Sequence, residues 1–315
     1  MKKFLIAAAM AGLMSTTAFA AGPKIGVSMA LFDDNFLTVL RNGIIAQGKD
    51  AGADVQVVDA GNDVAKQLDQ IKNFAANKVD AIIVNPVDTS ATQAMTDAAA
   101  AAKIPLVFVN RQPVNVDTLP DNQAFVASNE ADSGTLETKQ ICKLLAKAGK
   151  KEASIYVLEG ELSNQAAVQR TKDIHDVIGG PDCGVKISII AEQTGNWKRE
   201  EGQNLMTNWL STGKPFDAVI ANNDEMALGA IAALKAAGKK PADTPVGGVD
   251  ATQDALAAMK AGDLAVTVFQ NAAGQGKGAL DAAIKLAKGE KVEKKTYVPF
   301  ELVTPENVDQ YLKKN

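Results

Sequence analysis

Short unbroken apolar runs alternate with longer stretches of helical spacing along most of this chain. That alternation restricts its possible folds more than any other feature. A strand reads as a continuous aliphatic run when both of its faces are buried, which is the condition of a parallel sheet covered by helices on either side. Residues 24–29, 55–58, 81–84 and 106–109 are such runs. Between them, 35–51 carries Phe36, Val39, Leu40 and Ile44 at helical spacing, 64–77 reads as a second helix, and 90–102 is an alanine-rich third. The βαβαβαβ order predicts a parallel sheet with helices on both faces. The pattern then restarts. Helices are predicted over 135–148, 166–178, 200–210, 225–237, 252–261 and 274–288, and strands over 154–158, 187–190, 218–221, 246–248, 266–269 and 298–302. Two α/β halves follow one another with no Ser/Pro-rich linker between them. A boundary of that kind predicts strand-like crossings about which two lobes hinge.

The first twenty residues set the compartment. Lys2 and Lys3 precede an apolar run over 4–14, and Ala18-Phe19-Ala20 is a small-x-small cleavage site. This is the three-part pattern of a secretory leader, with the mature chain starting at Ala21. The run is too short for a membrane span, which needs about 20 apolar residues. No Cys follows the cleavage site to carry a lipid. The 315-residue chain is long enough for two domains at about 100–200 residues each. Its formal charge of −4 argues against nucleic acid or an anionic membrane as the main partner. Cys142 and Cys183 are the only cysteines. In a doubly wound second half, the helix bearing Cys142 and the helix that Cys183 follows lie side by side. One disulfide in an oxidising compartment and two separate buried thiols are then the alternatives.

Ligands of open parallel sheets bind beyond the carboxyl ends of the strands, so the residues just after each run matter most. These are Phe32, Asp33, Asp34 and Phe36 after the first, and Asn110 and Arg111 after 106–109. In the second half they are Asn164, with Arg170 a turn and a half further on, then Trp197, Asn223, Asp250 and Gln270. Carboxylates accept hydrogen bonds, guanidinium donates a planar fork, and carboxamides do both, which suits hydroxyls that donate and accept. Aromatic rings cover the C–H face of a ring polyol. Each residue also has a plainer reading. Asp34, Asn164 and Asp224 suit helix N-caps, Arg111 and Arg170 suit surface ions, and Trp197 suits the core. The agreement of several independent strand ends favours a binding site. His175, the one histidine, falls mid-helix, and the chain has no Gly-x-Ser-x-Gly, no zinc-type His pair and no Gly-rich dinucleotide turn after its first strand. No enzyme is expected, and a leader running straight into the first strand leaves no room for a DNA-binding helix-turn-helix.

Several segments together resemble the periplasmic pentose/hexose-binding proteins, the family of ribose- and galactose/glucose-binding proteins. They are Ile25-Gly26-Val27 with Asp33-Asp34-Asn35-Phe36, Ile83-Val84-Asn85-Pro86-Val87-Asp88, Val109-Asn110-Arg111-Gln112-Pro113, Gly247-Gly248-Val249-Asp250, and the specific run Asn222-Asn223-Asp224-Glu225-Met226-Ala227-Leu228-Gly229-Ala230. The resemblance spans the mature chain. It implies a type I α/β fold of two Rossmann-like lobes with parallel sheets joined by a three-crossing hinge, a sugar-type ligand in the cleft, and delivery to the membrane subunits of an ABC importer. Asp34, Phe36, Asn110 and Trp197 match the galactose/glucose type, Arg111 and Gln270 the ribose type, and Arg170, Asn223 and Asp250 both. Ala166 stands where the galactose/glucose type has an Asp, and Asn164 where it has a stacking His. The loop near 148–154 offers one carboxylate where that type binds calcium, and a calcium site needs 6–8 oxygens, so neither metal nor cofactor is expected. A pocket mixed in this way resembles those of the inositol- and rhizopine-binding members and favours a myo-inositol-like ligand over ribose or a hexose. The implied lobes are 21–127 with 271–296, and 128–270 with 297–315, crossing near Ala127 and Ser128, Gln270 and Asn271, and Thr296 and Tyr297. The implied state is a periplasmic monomer, with a chemoreceptor as a further partner that the resemblance admits.

Overall fold

The computed structural model describes residues 22–314; the leader expected over 1–20 lies outside the described residues. The first half runs β1 (Lys24–Met29), α1 (Asn35–Asp50), β2 (Asp54–Asp59), α2 (Val64–Ala76), β3 (Ala81–Val84), α3 (Thr92–Ala101), β4 (Leu106–Val109) and β5 (Gln123–Ala127). The second runs α4 (Glu130–Lys147), β6 (Glu152–Glu159), α5 (Gln165–Gly179), β7 (Lys186–Thr194), α6 (Arg199–Ser211), β8 (Ala218–Ala221), α7 (Asp224–Ala236), β9 (Val246–Gly247), α8 (Gln253–Lys260) and β10 (Thr267–Gln270). Three further elements close the chain: α9 (Ala272–Ala287), β11 (Lys295–Tyr297) and β12 (Phe300–Val303).

Two parallel sheets result, one in each lobe. The first has the order β11-β5-β4-β3-β1-β2 and the second β7-β6-β8-β9, with β10 and β12 forming an antiparallel pair. Both sheets are wound alike: β1 has β2 and β3 on opposite sides, and β6 has β7 and β8 on opposite sides. Such a reversal of winding opens a crevice at the carboxyl edge. The continuous runs have the predicted cause. On β3, Ala81 and Ile83 enter one core with α1 and α9, while Ile82 and Val84 enter another with Phe74 of α2 and Met95 of α3.

The chain passes between the sheets three times. After β5 it enters α4, where the Asn129 side chain accepts from Ala131 N at 3.4 Å. That cap starts the helix at Glu130, ahead of the expected 135. After β10 it returns through Asn271 into α9, which packs on α1 of the first lobe. A Cβ on Gly43 would lie 2.9 Å from Ala273 Cα, and one on Gly276 would lie 2.7 Å from the Leu40 carbonyl, so only glycine permits this approach. The third passage differs from expectation. The strand predicted over 298–302 is two strands. β11 pairs with β5 as far as Tyr297, and β12 pairs with β10 from Phe300. Pro299 lacks the N–H needed to continue a ladder, so the chain changes sheets at Val298 and Pro299 rather than at Thr296 and Tyr297.

α4 and α5 lie side by side, with the Gly134 Cα against Arg170; a Cβ there would come within 2.5 Å of the Arg170 carbonyl oxygen. Cys142 of α4 and Cys183 just past α5 are disulfide-bonded, with Cα atoms 5.1 Å apart and a sequence separation of 41. Chain entropy alone assigns such a loop on the order of 3–4 kcal/mol. Titration of the unfolded, unreduced protein is expected to find no free thiol. Cys142→Ser with Cys183→Ser is expected to lower the melting temperature and to leave ligand affinity unchanged. Two reactive thiols per chain would remove the bridge.

Candidate binding site between the lobes

Strand ends from both sheets meet around one cavity. The first lobe supplies Asp34, Phe36 and Leu37 from the start of α1, and Asn110 and Arg111 after β4. The second supplies Asn164, Ala166 and Arg170 of the α5 entrance, Trp197 before α6, Asn223 before α7, Asp250 after β9, and Gln270 at the end of β10. Glu130, at the first passage between lobes, completes the lining. Ten of the twelve candidates read from the sequence therefore converge. Phe32 and Asp33 do not. The Phe32 ring lies under the Arg41 guanidinium, 4.2 Å from ring centroid to Cζ. Asp33 is exposed and faces the outer mouth of the cleft beside Asn62 and Glu225.

The plainer readings divide. Asp34 does cap α1, its Oδ1 accepting from Leu37 N at 2.7 Å, while also lining the cavity. Asn164 holds the N-cap position of α5 without a capping bond; its Nδ2 donates to Glu161 Oε2 at 3.2 Å. Asp224 is not a cap. Asn223 caps α7 through Met226 N and donates from Nδ2 to the Trp197 carbonyl at 3.2 Å. The Asp224 carboxylate is fully buried and accepts from Thr267 Oγ1 at 2.7 Å and Thr252 N at 2.9 Å.

Arg170 is no surface ion, being 4% exposed. Its Nε donates to Glu130 Oε2 at 2.7 Å and its Nη2 to Glu130 Oε1 at 3.1 Å, a bidentate pair. Nη1 donates to the Asn222 carbonyl at 2.7 Å, and Nη2 also donates to Gln270 Oε1 at 3.3 Å. Arg111 is half-buried and donates from Nη1 to the carbonyls of Pro86 and Val87, at 2.9 and 3.2 Å. Trp197 spreads over Gly160, where a Cβ would come within 2.2 Å of the indole. Asn110 is fixed by Gln275, whose Oε1 accepts from Asn110 Nδ2 at 3.2 Å and whose Nε2 donates to Ser128 Oγ at the first passage.

The backbone around the cavity is strained. Asn110, Trp197 and Asp250 have φ of 67°, 65° and 122°. Bulky or branched L-residues avoid that half of the map, and such strain collects at binding and catalytic sites. Burial pushes the Asp34 carboxyl up against the opposing pull of its cap bond and Arg111. Burial pushes Asp250 well up against the pull of Arg170. Burial lowers Arg111 against Glu161 and Asp34. Burial acts on Arg170 in the same sense, but Glu130 outweighs it and the guanidinium is held firmly charged. Glu130 was not among the sequence candidates because the helix was expected to begin five residues later. The overlooked signal was the cap residue Asn129 followed by an acidic first turn, Glu130 and Asp132. Among the described residues no group of three or more His, Cys, Asp or Glu is placed to hold a metal ion.

Residues 25–291 match the model of the periplasmic binding protein domain. The chain belongs to the periplasmic binding protein family. Within that family it is 62% identical, over the full length of both chains, to a candidate rhizopine-binding protein of Rhizobium meliloti. It is 33% identical to the ribose import binding protein of Bacillus subtilis, covering 89% of this chain and 87% of that one. An ABC transporter solute-binding protein from Bacillus halodurans, solved with bound myo-inositol, superposes with a TM-score of 0.86 at 41% identity over 94% of this chain and 99% of its own. The myo-inositol-binding protein of Caulobacter gives 0.81 at 27% identity, over 91% and 95%. Members of this family bind solutes and are not enzymes.

The periplasmic binding protein fold here carries several carboxyls that titrate late. Asp173, 3% exposed and one turn beyond Arg170, is pushed up to about 7 by burial; Glu130 and Asp176 add to the rise, while Gln169 and Lys172 oppose it. Burial also takes Asp224 up to about 7. A carboxyl raised in the folded state binds more protons there than in the unfolded chain, so stability falls as pH rises from about 4 through about 7. The melting temperature is expected to decline between pH 5 and pH 7.5. Asp173→Asn is expected to flatten the decline and to raise stability at neutral pH, and an unaltered slope in that variant would contradict the assignment.

Proposed function

We propose that the chain captures a small cyclic polyol of the inositol type between its lobes in the periplasm and hands it unchanged to an ABC importer. The observation that carries this reading is the make-up of the cavity. Carboxylates (Asp34, Asp250), carboxamides (Asn110, Asn164, Asn223, Gln270) and a guanidinium (Arg111) ring it, and Phe36 and Trp197 supply aromatic faces. A cyclitol presents a hydroxyl at every ring carbon, each able to donate and accept, and two C–H faces that aromatic rings cover. The relatives favour the inositol class over pentoses. The 62% identical relative is a candidate rhizopine-binding protein, and two structural neighbours hold or bind myo-inositol. In this reading the first lobe is 21–127 with 271–297 and the second 128–270 with 298–315, since Tyr297 pairs in the first sheet. They turn about the three passages, and the protein acts as a single chain because an importer must engage both lobes at once.

Calorimetry and thermal shift against myo-inositol, its epimers and amino derivatives, ribose and galactose test this directly. Ligand at 100 times its dissociation constant adds about 2.7 kcal/mol to stability. The largest shift is expected for a cyclitol. A response confined to ribose or galactose would replace the inositol reading with a pentose or hexose one. Arg111→Ala removes a charged hydrogen-bond donor and is expected to weaken binding by roughly ten- to a hundredfold. Unchanged affinity would take Arg111 out of the site.

A further inference from the structure

Outside the cavity the lobes hydrogen-bond through Asn35 with Glu225 at 2.8 Å, through Asn62 with Glu161 at 3.0 Å, and at a further point where Thr89 makes each connection. Thr89 opens a short 3-10 turn after β3 and is 4% exposed. Its backbone N–H donates to the Ser163 carbonyl at 3.1 Å. Its Oγ1 donates to the same carbonyl at 3.0 Å and accepts from Gln165 N at 3.2 Å. Ser163 and Gln165 belong to the other lobe, at the entrance of α5. Thr89 does not line the cavity.

We infer that Thr89 is a closing clasp, a positioning residue that sets how tightly the ligand is held without touching it. The inference rests on the reading that a ligand binds between the lobes. Two features join the clasp to the cavity. On the second lobe, the residue between Ser163 and Gln165 is the cavity-lining Asn164. On the first, Arg111 of the cavity donates to the carbonyls of Pro86 and Val87, three and two residues before Thr89. Ligand contacts at Asn164 and Arg111 therefore bring together the two segments that the clasp connects. The turn is also preset. Asp88 Oδ1 accepts from Ser90 N and Oγ, both at 2.7 Å, and Thr92 Oγ1 donates to the Thr89 carbonyl at 2.7 Å.

In an open form, water serves the Thr89 hydroxyl, the Ser163 carbonyl and the Gln165 N–H. In the closed form only the clasp does. Removing the hydroxyl therefore penalises the closed state alone, because the half-buried Gln165 N–H loses its acceptor there and the Ser163 carbonyl keeps only the Thr89 N–H. Affinity is reduced by the fraction of molecules able to hold the closed form. Contacts that select among ligands stay intact.

Thr89→Val keeps the shape and loses the hydroxyl; Thr89→Ser keeps the hydroxyl. Calorimetry with the cyclitols and sugars above is expected to show Thr89→Val binding roughly two- to tenfold more weakly, chiefly through faster release, and by the same factor for each ligand. Thr89→Ser should restore most of the loss, and both variants should unfold cooperatively without ligand, as the parent does. Unchanged affinity in Thr89→Val, a changed order of ligand preference, or no recovery in Thr89→Ser would overturn the clasp while leaving the binding function standing. If the parent protein bound none of the panel, the functional reading would fall separately. The clasp would then be judged by amide exchange at Gln165 without ligand, expected to be slower in the parent than in Thr89→Val and overturned by equal rates.

Discussion

The guanidinium of Arg170 is buried, charged and surrounded by protein, and much of the second lobe is arranged to hold it. Desolvating an ion is expensive unless its donors are matched. Glu130 matches two of them in a fork, and the Asn222 carbonyl and Gln270 take others. These partners come from the start of α4, the end of β8 and the end of β10. Two of them, Glu130 and Gln270, stand beside passages between the lobes. The ion thus gathers two hinge segments, α5 and a strand end at one point under the cavity. Its firm charge gives Asp250 an opposing partner against burial.

A second constraint is the strained backbone of Asn110, Trp197 and Asp250. None is glycine, and each lines the cavity. The surroundings hold each in place. Gln275 and Asn85 bracket the Asn110 side chain, Asn223 holds the Trp197 carbonyl, and the Gly160 surface receives the indole. The amide of Asp250 donates to the Val268 carbonyl at 2.8 Å, tying it to the next strand. A site fixed this way before ligand arrives loses little entropy when it binds.

Much of this was legible in the residues. Strands buried on both faces announce themselves as aliphatic runs, and their ends gave ten of the cavity residues because topology, rather than loop detail, puts those positions there. The failures have local causes. β11 is exposed along its whole length and carries no apolar signature. Pro299 splits what reads as one strand. Phe32 and Asp33 sit in the same loop as Asp34, and only loop geometry, which has no period, decides which of them turns inward. Glu130 and Thr89 are polar residues whose importance lies wholly in partners 40 and more than 70 positions away.

The central claim is that two lobes close on a polyol held between their strand ends. Small-angle scattering of the protein, with and without saturating myo-inositol, tests it most directly when calorimetry on the same samples records one ligand bound per chain. The account predicts a smaller radius of gyration in the bound form and a bound curve that fits the closed arrangement described above. Superimposable curves despite stoichiometric binding would contradict it.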